Sequence, residues 1–173
     1  PVVPQGTVSF TIRKPSTVSK TIGQYEAEGL FANTRVVTEG LSDVDRELLK
    51  LRDSGEWMRF FEVAVRSRKN ILVSGATGSG KTSLSKALIR LIPDHERLVT
   101  IEDTRELTLP HRNVVHMIYA KDGQGLAKVG PKELLESALR MRPDRILLQE
   151  LRDGTAFFYL RNVNSGHPGS ITT

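Results

Sequence analysis

Residues 75–82 read Gly-Ala-Thr-Gly-Ser-Gly-Lys-Thr, and the spacing of Gly75, Gly80, Lys81 and Thr82 is that of a P-loop. The chemistry follows from the residue types. Glycines let the backbone curl so that successive N–H groups converge on a phosphate. A helix starting near Lys81 adds the positive end of its dipole. The Lys81 ammonium can reach β- and γ-phosphates, and the Thr82 hydroxyl can ligate Mg²⁺. Gly75, Ala76, Thr77, Gly78, Ser79, Gly80, Lys81, Thr82 and Ser83 therefore form the candidate cradle for a nucleotide's phosphates. A chance glycine-rich turn would need neither the apolar run Ile71-Leu72-Val73 before it nor the amphipathic pattern after it.

Acidic residues supply the second half of that chemistry. Glu102 and Asp103 close the apolar run Leu98 to Ile101; they can orient water or hold a metal's hydration shell, or simply cap the next turn. Glu150 ends Ile146-Leu147-Leu148-Gln149 and can polarise an attacking water or bind Mg²⁺ through water; the plainer account is a strand end reaching solvent. Lys81, Glu102 and Glu150 are the catalytic candidates, and Thr82, Glu102 and Glu150 the metal candidates. His167, in Ser165-Gly166-His167-Pro168-Gly169, is either a turn residue or a contact that senses the γ-phosphate. Arg140 and Arg142 flank a helix end, where cations suit the dipole; the alternative is contact with nucleotide or an adjacent subunit. Arg13 and Arg35 are candidates for a positive charge brought to the phosphates by a preceding domain or a neighbour. His95, His111 and His116 have no such setting.

The elements that must position these groups are legible as periodicity. Val8, Phe10 and Ile12 alternate, as in a half-buried strand stopped by Pro15. Ser42 reads as the N-cap of a helix with Asp43 and Asp45 in its first turn, ending near Gly55. A second helix is expected over 56–69, with Phe60, Phe61, Ala64 and Val65 inward and Trp57 packed beside them. From residue 70 strands and helices alternate. Strands are expected at 71–74, 98–101, 114–119 and 145–148, with one more beginning at Ile171. Helices are expected at 80–92, from Pro131 to before Pro143, and at 155–164. The first of these carries an apolar stripe of Leu84, Ala87, Leu88 and Leu91, and the last joins Ala156, Leu160 and Val163. Gly123, Gly125 and Gly130 mark a loop. This alternation predicts an α/β fold with a largely parallel sheet covered on both faces and a site at the carboxyl ends of its strands. All the motif residues, His167 included, are expected at that edge. The domain boundaries read as 1–38, the tail of an N-terminal domain; 39–69, a helical linker; and 70–173, a nucleotide-binding domain.

Composition narrows the class. The 173 residues are 38% hydrophobic and 26% charged, as in globular chains. Cysteine is absent, which excludes a disulfide framework and a thiolate metal site. The net charge of +5 is compatible with nucleic acid or an anionic membrane, but the basic residues are scattered, as on a solvated surface. No run approaches the roughly 20 apolar residues of a membrane-spanning helix.

Four stretches together resemble the traffic ATPases of bacterial type IV secretion systems, within the secretion ATPase superfamily. They are the P-loop (Walker A), Thr100-Ile-Glu-Asp-Thr-Arg-Glu-Leu107 (the Asp box), Leu139-Arg-Met-Arg-Pro-Asp-Arg-Ile-Leu-Leu-Gln-Glu-Leu-Arg152 (Walker B) and Asn164-Ser-Gly-His-Pro-Gly-Ser-Ile-Thr-Thr173 (the His box). The resemblance implies a RecA-like core, preceded by the tail of an N-terminal α+β domain, and ATP hydrolysis with Mg²⁺. It implies a homo-hexameric ring, peripheral at the cytoplasmic face of the inner membrane. The ring works with other type IV secretion ATPases and channel components in pilus assembly and substrate transfer, with no sequence-specific nucleic acid partner. By motif match, Lys81 and Thr82 hold phosphate and Mg²⁺, Glu102 and Glu150 handle water and metal, and His167 couples the site to shape change. Gln149 departs from a position that is often Gly in the superfamily. The resemblance also implies more chain on either side of this stretch, so the isolated 173 residues are expected to be poorly active. The alternatives are a type II secretion or pilus motor, whose Asp box usually carries Pro where this chain has Thr104, a P-loop phosphotransferase, and a DNA-handling RecA-like protein.

Overall fold

The computed structural model describes residues 3–14, 20–32, 40–120, 129–151, 154–164 and 166–173. The elements run α1 (Ile22–Ala27), α2 (Asp43–Asp53), α3 (Trp57–Arg66), β1 (Ile71–Leu72), α4 (Lys81–Ile89), β2 (Leu98–Glu102), β3 (Val114–Ile118), α5 (Pro131–Leu139), β4 (Arg145–Leu148), α6 (Thr155–Asn164) and β5 (Ile171–Thr172). The alternation expected from residue 70 onward is present, with strand and helix limits within a few residues of expectation. Arg35 and the glycines at 123 and 125 lie outside the described residues.

Every strand pairing is parallel. β2 lies between β3 and β4, with Thr100 opposite both His116 and Leu147. β1 pairs with β5, placing Ile71 opposite Ile171. The two groups meet where the Leu151 N–H donates to Thr173 O (2.8 Å) and the Thr173 hydroxyl donates to Gln149 O (2.8 Å). Parallel direction gives the layer two distinct edges, because each strand enters at one and leaves at the other.

Alternation of side chains along the strands divides the core into two faces. Val99, Ile101, Val115, Met117, Ile146 and Leu148 face α5 and α6, which bring Leu134, Leu135, Ala138, Tyr159 and Val163. Leu98, Leu147 and Ile171 face α4, with Leu88, Ile89 and Ile92, and Val65 from α3. β2 and β4 are buried on both sides and mostly apolar, the exceptions being Thr100, Glu102 and Arg145. A smaller cluster of Leu48, Val63 and Ala64 joins α2 to α3.

Local signals explain most boundaries. Ser42 caps α2, and its hydroxyl and the Asp45 carboxylate close a reciprocal box. Pro131 occupies the first turn of α5, where a missing N–H costs nothing.

Several expectations need correction. Residues 7–12 form no strand, and Val8, Phe10 and Ile12 are exposed. A strand needs a neighbour for its N–H and C=O groups, and no described element pairs with this one. Trp57 is 53% exposed, since it begins α3 and only its edge meets Phe60. The inward face of α4 is turned by about one residue. Ser85, Leu88 and Ile89 are buried, as is Ile92 just past the helix, while Leu84 is exposed. On α6, Tyr159 takes the inward place expected of Leu160, which is exposed.

Candidate functional site

The P-loop leaves β1 at the carboxyl edge of the sheet and enters α4 at Lys81. Its curl depends on glycine at defined places. Gly78 and Gly80 have φ of +80° and +87°, a region that disfavours side chains, and Gly80 serves as N-cap of α4. At Gly75 a Cβ would stand 2.6 Å from Ser79 Oγ, so a side chain there would force that hydroxyl to turn away. Residues 75–80 and Ser83 are exposed, while Lys81 and Thr82 are half-buried. The Lys81 ammonium folds back over the loop and donates to Gly75 O and Ala76 O, at 2.9 Å each. The arrangement fits a phosphate chain: a cation is held at the mouth of a glycine-curled loop that opens onto a helix N-terminus. Thr82 follows Lys81 in the first turn of α4, where its hydroxyl would be the P-loop group to meet a metal beside bound phosphates.

Glu102 ends β2 at the same edge, but its carboxylate is completely buried and fully engaged. Oε1 accepts from the Glu106 N–H (3.0 Å) and the Leu107 N–H (2.8 Å). Oε2 accepts from the Thr100 hydroxyl (2.8 Å) and lies 3.3 Å from His116 Nδ1. Burial pushes its pKa up. The His116 contact, the Leu107 N–H, the Thr100 hydroxyl and the Glu106 N–H together outweigh that and hold the carboxyl below its ordinary value. In this arrangement Glu102 pins the turn after β2 instead of presenting an oxygen to water or metal. His116 belongs to the same network, through Thr100 Oγ1 at 2.9 Å. A shared strand face would have exposed this trio in the sequence, since residues 100 and 102 lie two apart on β2 and 116 stands opposite 100.

Glu150 lies just past the carboxyl end of β4, half-buried. Gln149 is on the α4 side, where it lines a small cavity with Thr82, Ser85, Leu107 and Thr172. Sequence reasoning noted Gln149 only as an unusual residue; Ser85 and Thr172 carried no signal beyond their polarity inside apolar patterns.

His167 and Arg140 stand elsewhere. His167 precedes β5, and its Nδ1 lies 2.9 Å from the carbonyl of Pro143, which precedes β4. Residues leading into parallel strands gather at the amino edge, opposite the P-loop, so His167 does not join the phosphate cradle. Arg140 is the exposed C-cap of α5, on the approach to that same edge. Arg13 is exposed, in a segment whose Thr11 hydroxyl reaches Met141 O at 3.5 Å. The structure thus groups the P-loop, Glu102, Gln149 and Glu150 at one edge and separates His167 and Arg140 from them.

A roomier cleft of about 450 Å³ lies between residues 3–10 and β3, lined by Arg97, Arg105, Arg112 and His116 among others. It includes none of the P-loop residues. Among the described residues no helix is long and apolar enough to cross a membrane.

Comparison with known proteins bears on this geometry. The family model described as "Type II/IV secretion system protein" matches residues 32–173. The type IV secretion system protein VirB11 of Bartonella henselae is 58% identical, over all of this chain and 52% of that protein. The VirB11 protein of Rhizobium radiobacter is 48% identical over all of this chain and 51% of its own length. The crystal structure of the VirB11 ATPase from the Brucella suis type IV secretion system, in complex with sulphate, superposes with a TM-score of 0.89 at 45% identity. That match covers 99% of this chain and 51% of the other. The chain therefore spans about half the length of these relatives.

Proposed function

Because the chain belongs to the type II/IV secretion system protein family, we propose that it carries the nucleotide site of a traffic ATPase that powers a bacterial type IV secretion system. One observation carries the reading: Lys81 is held across the mouth of a glycine-curled loop at the head of α4, on the carboxyl edge of a parallel sheet. The names of the relatives support type IV over type II machinery.

The roles follow from position. Lys81 exchanges the carbonyls of Gly75 and Ala76 for β- and γ-phosphate oxygens, and the N–H groups of residues 78–82 close around the phosphates. The Thr82 hydroxyl would hold Mg²⁺, whose charge would offset that of the phosphate oxygens. Glu150 accepts the proton of the attacking water. Glu102 acts indirectly, by fixing the turn at 103–107 against the sheet. Arg13, exposed, and Arg35 are the candidates for phosphate contact from an adjacent subunit. A RecA-like core, a ring of six and a peripheral place at the inner membrane complete the reading. Its partners are other secretion ATPases and channel components, and its output is pilus assembly and substrate transfer.

The test uses the full-length protein. Lys81→Ala should abolish phosphate release and weaken ATP binding while the circular dichroism spectrum is retained. Undiminished phosphate release from that variant overturns the reading.

A further inference from the structure

The cavity beside Thr82 is small, about 10 Å³, the size class of a single water. Its walls are largely apolar, with Ile89, Leu107 and Ile171 among them, but polar side chains also reach it. Ser85 is 5% exposed and Thr172 is 6% exposed. The side-chain oxygens of Ser85, Thr172 and Gln149 are all buried without a hydrogen-bond partner. They come from three separate elements: α4, β5 and the end of β4. Buried polar atoms in folded proteins are almost always paired, so three orphaned oxygens around a single cavity form a site built for something polar.

We propose that Gln149, Ser85 and Thr172 hold one ordered water beneath Thr82, which makes Gln149 a positioning residue for the hydroxyl that receives Mg²⁺. The donor count closes. The Ser85 and Thr172 hydroxyls donate to the water, which donates to Gln149 Oε1 and to Thr82 Oγ1. The Thr82 hydroxyl hydrogen then points away from the cavity, and a remaining oxygen lone pair faces the phosphate loop. The same water ties the P-loop helix to the end of β4 next to Glu150. A glycine at position 149, common there in the superfamily the chain resembles, would supply no such acceptor. The inference rests on the proposed nucleotide site, because it assigns Thr82 to the metal.

The test measures binding in the full-length protein. Gln149→Leu keeps the volume and removes the acceptor; Thr172→Val removes a hydroxyl that Thr172→Ser retains. The proposal expects Gln149→Leu and Thr172→Val to require about tenfold more Mg²⁺ for half-maximal tightening of ATP binding, the usual effect of losing a group that orients a metal ligand. Magnesium-free ATP affinity should stay within about twofold, and Thr172→Ser should behave as the parent. A crystal structure of the magnesium-free protein should show one water within hydrogen-bonding distance of all three oxygens. Unchanged magnesium dependence in Gln149→Leu overturns the proposal, as does a Thr172→Ser variant as impaired as Thr172→Val, which would mean packing. If Gln149→Leu fails to fold, the two Thr172 variants decide. Loss of the broader nucleotide reading would show separately, as ATP binding indifferent to Lys81→Ala.

Discussion

Arg145 and Glu96 form a bidentate ion pair inside the amino edge of the sheet. Arg145 Nε donates to Glu96 Oε2 at 2.6 Å and Nη2 to Oε1 at 3.1 Å. Arg145 is fully buried, and Glu96 is 3% exposed. The remaining donor, Nη1, bonds the carbonyls of Val65 (2.9 Å) and Gly169 (3.2 Å). One side chain thus ties α3, β4 and the approach to β5 together, on the edge opposite the nucleotide loop. Gly169 is required there, because a Cβ would lie 2.6 Å from Nη1 and its φ is +90°.

Removing Arg145 leaves the buried Glu96 carboxylate with only Arg68, 3.4 Å away, as a partner. Arg145→Ala should destabilise the fold by about 3–5 kcal/mol, read as a lower urea midpoint. Arg145→Met combined with Glu96→Leu should recover much of that loss, because no buried charge is then left unpaired. Gly169→Ala should cost about 1–3 kcal/mol through backbone strain and the close approach.

Acid should unfold the protein through identifiable carboxylates. Burial raises the Glu96 pKa, but the hydrogen bond and charge of Arg145, with Arg68 beyond, hold it below its ordinary 4.5. Glu102 is also held below 4.5, and Asp45 is lowered to about 2 by hydrogen bonds from Lys69 and Ser42. A carboxyl with a depressed folded pKa contributes stability fully present above its unfolded value and lost as pH falls through the folded one. Melting temperature should therefore be flat with respect to these groups above about pH 5 and fall progressively below the ordinary carboxylate range of about 4–4.5. Glu102→Gln should make that acid slope shallower.

Glu102→Ala leaves the Glu106 and Leu107 N–H groups without their acceptor. The buried Leu107 N–H left unpaired costs about 1–3 kcal/mol, and the less buried Glu106 N–H costs less. Hydrogen exchange should show the amides of Glu106 and Leu107 losing protection first. Protection equal to the parent would mean that the turn is held by other contacts.

Glu150→Gln keeps shape and removes the proton acceptor. Phosphate release from the full-length protein should fall by about 10²–10⁴, with ATP binding retained. A loss confined to ATP affinity would assign Glu150 to binding instead.

His167→Ala should leave ATP affinity unchanged, because the ring bonds Pro143 O at the amino edge. It should lower stability by about 1 kcal/mol, the worth of one hydrogen bond. A clear drop in affinity would restore His167 to the phosphate site.

The amino-acid sequence alone determined the parts of this protein whose causes are local. The curl of 75–80 needs glycines at set positions, the capping box of α2 needs Ser42 and Asp45 three apart, and buried strands need apolar runs such as Ile146 to Leu148. Tertiary structure decided which end of the sheet each group occupies and what its side chain is already bonded to. His167 follows a helix, which suggested the ligand edge, yet it precedes β5, and in a parallel sheet that places it at the other one. Glu102 ends a strand as a catalytic carboxylate should, yet partners from β3 and the following turn use both its oxygens. On α4, a turn of about one residue buries Ser85 in place of Leu84. Helical period fixes the width of the inward face, but only packing against the sheet fixes which residues it contains, because neighbouring stripes differ by less energy than the contacts that select between them.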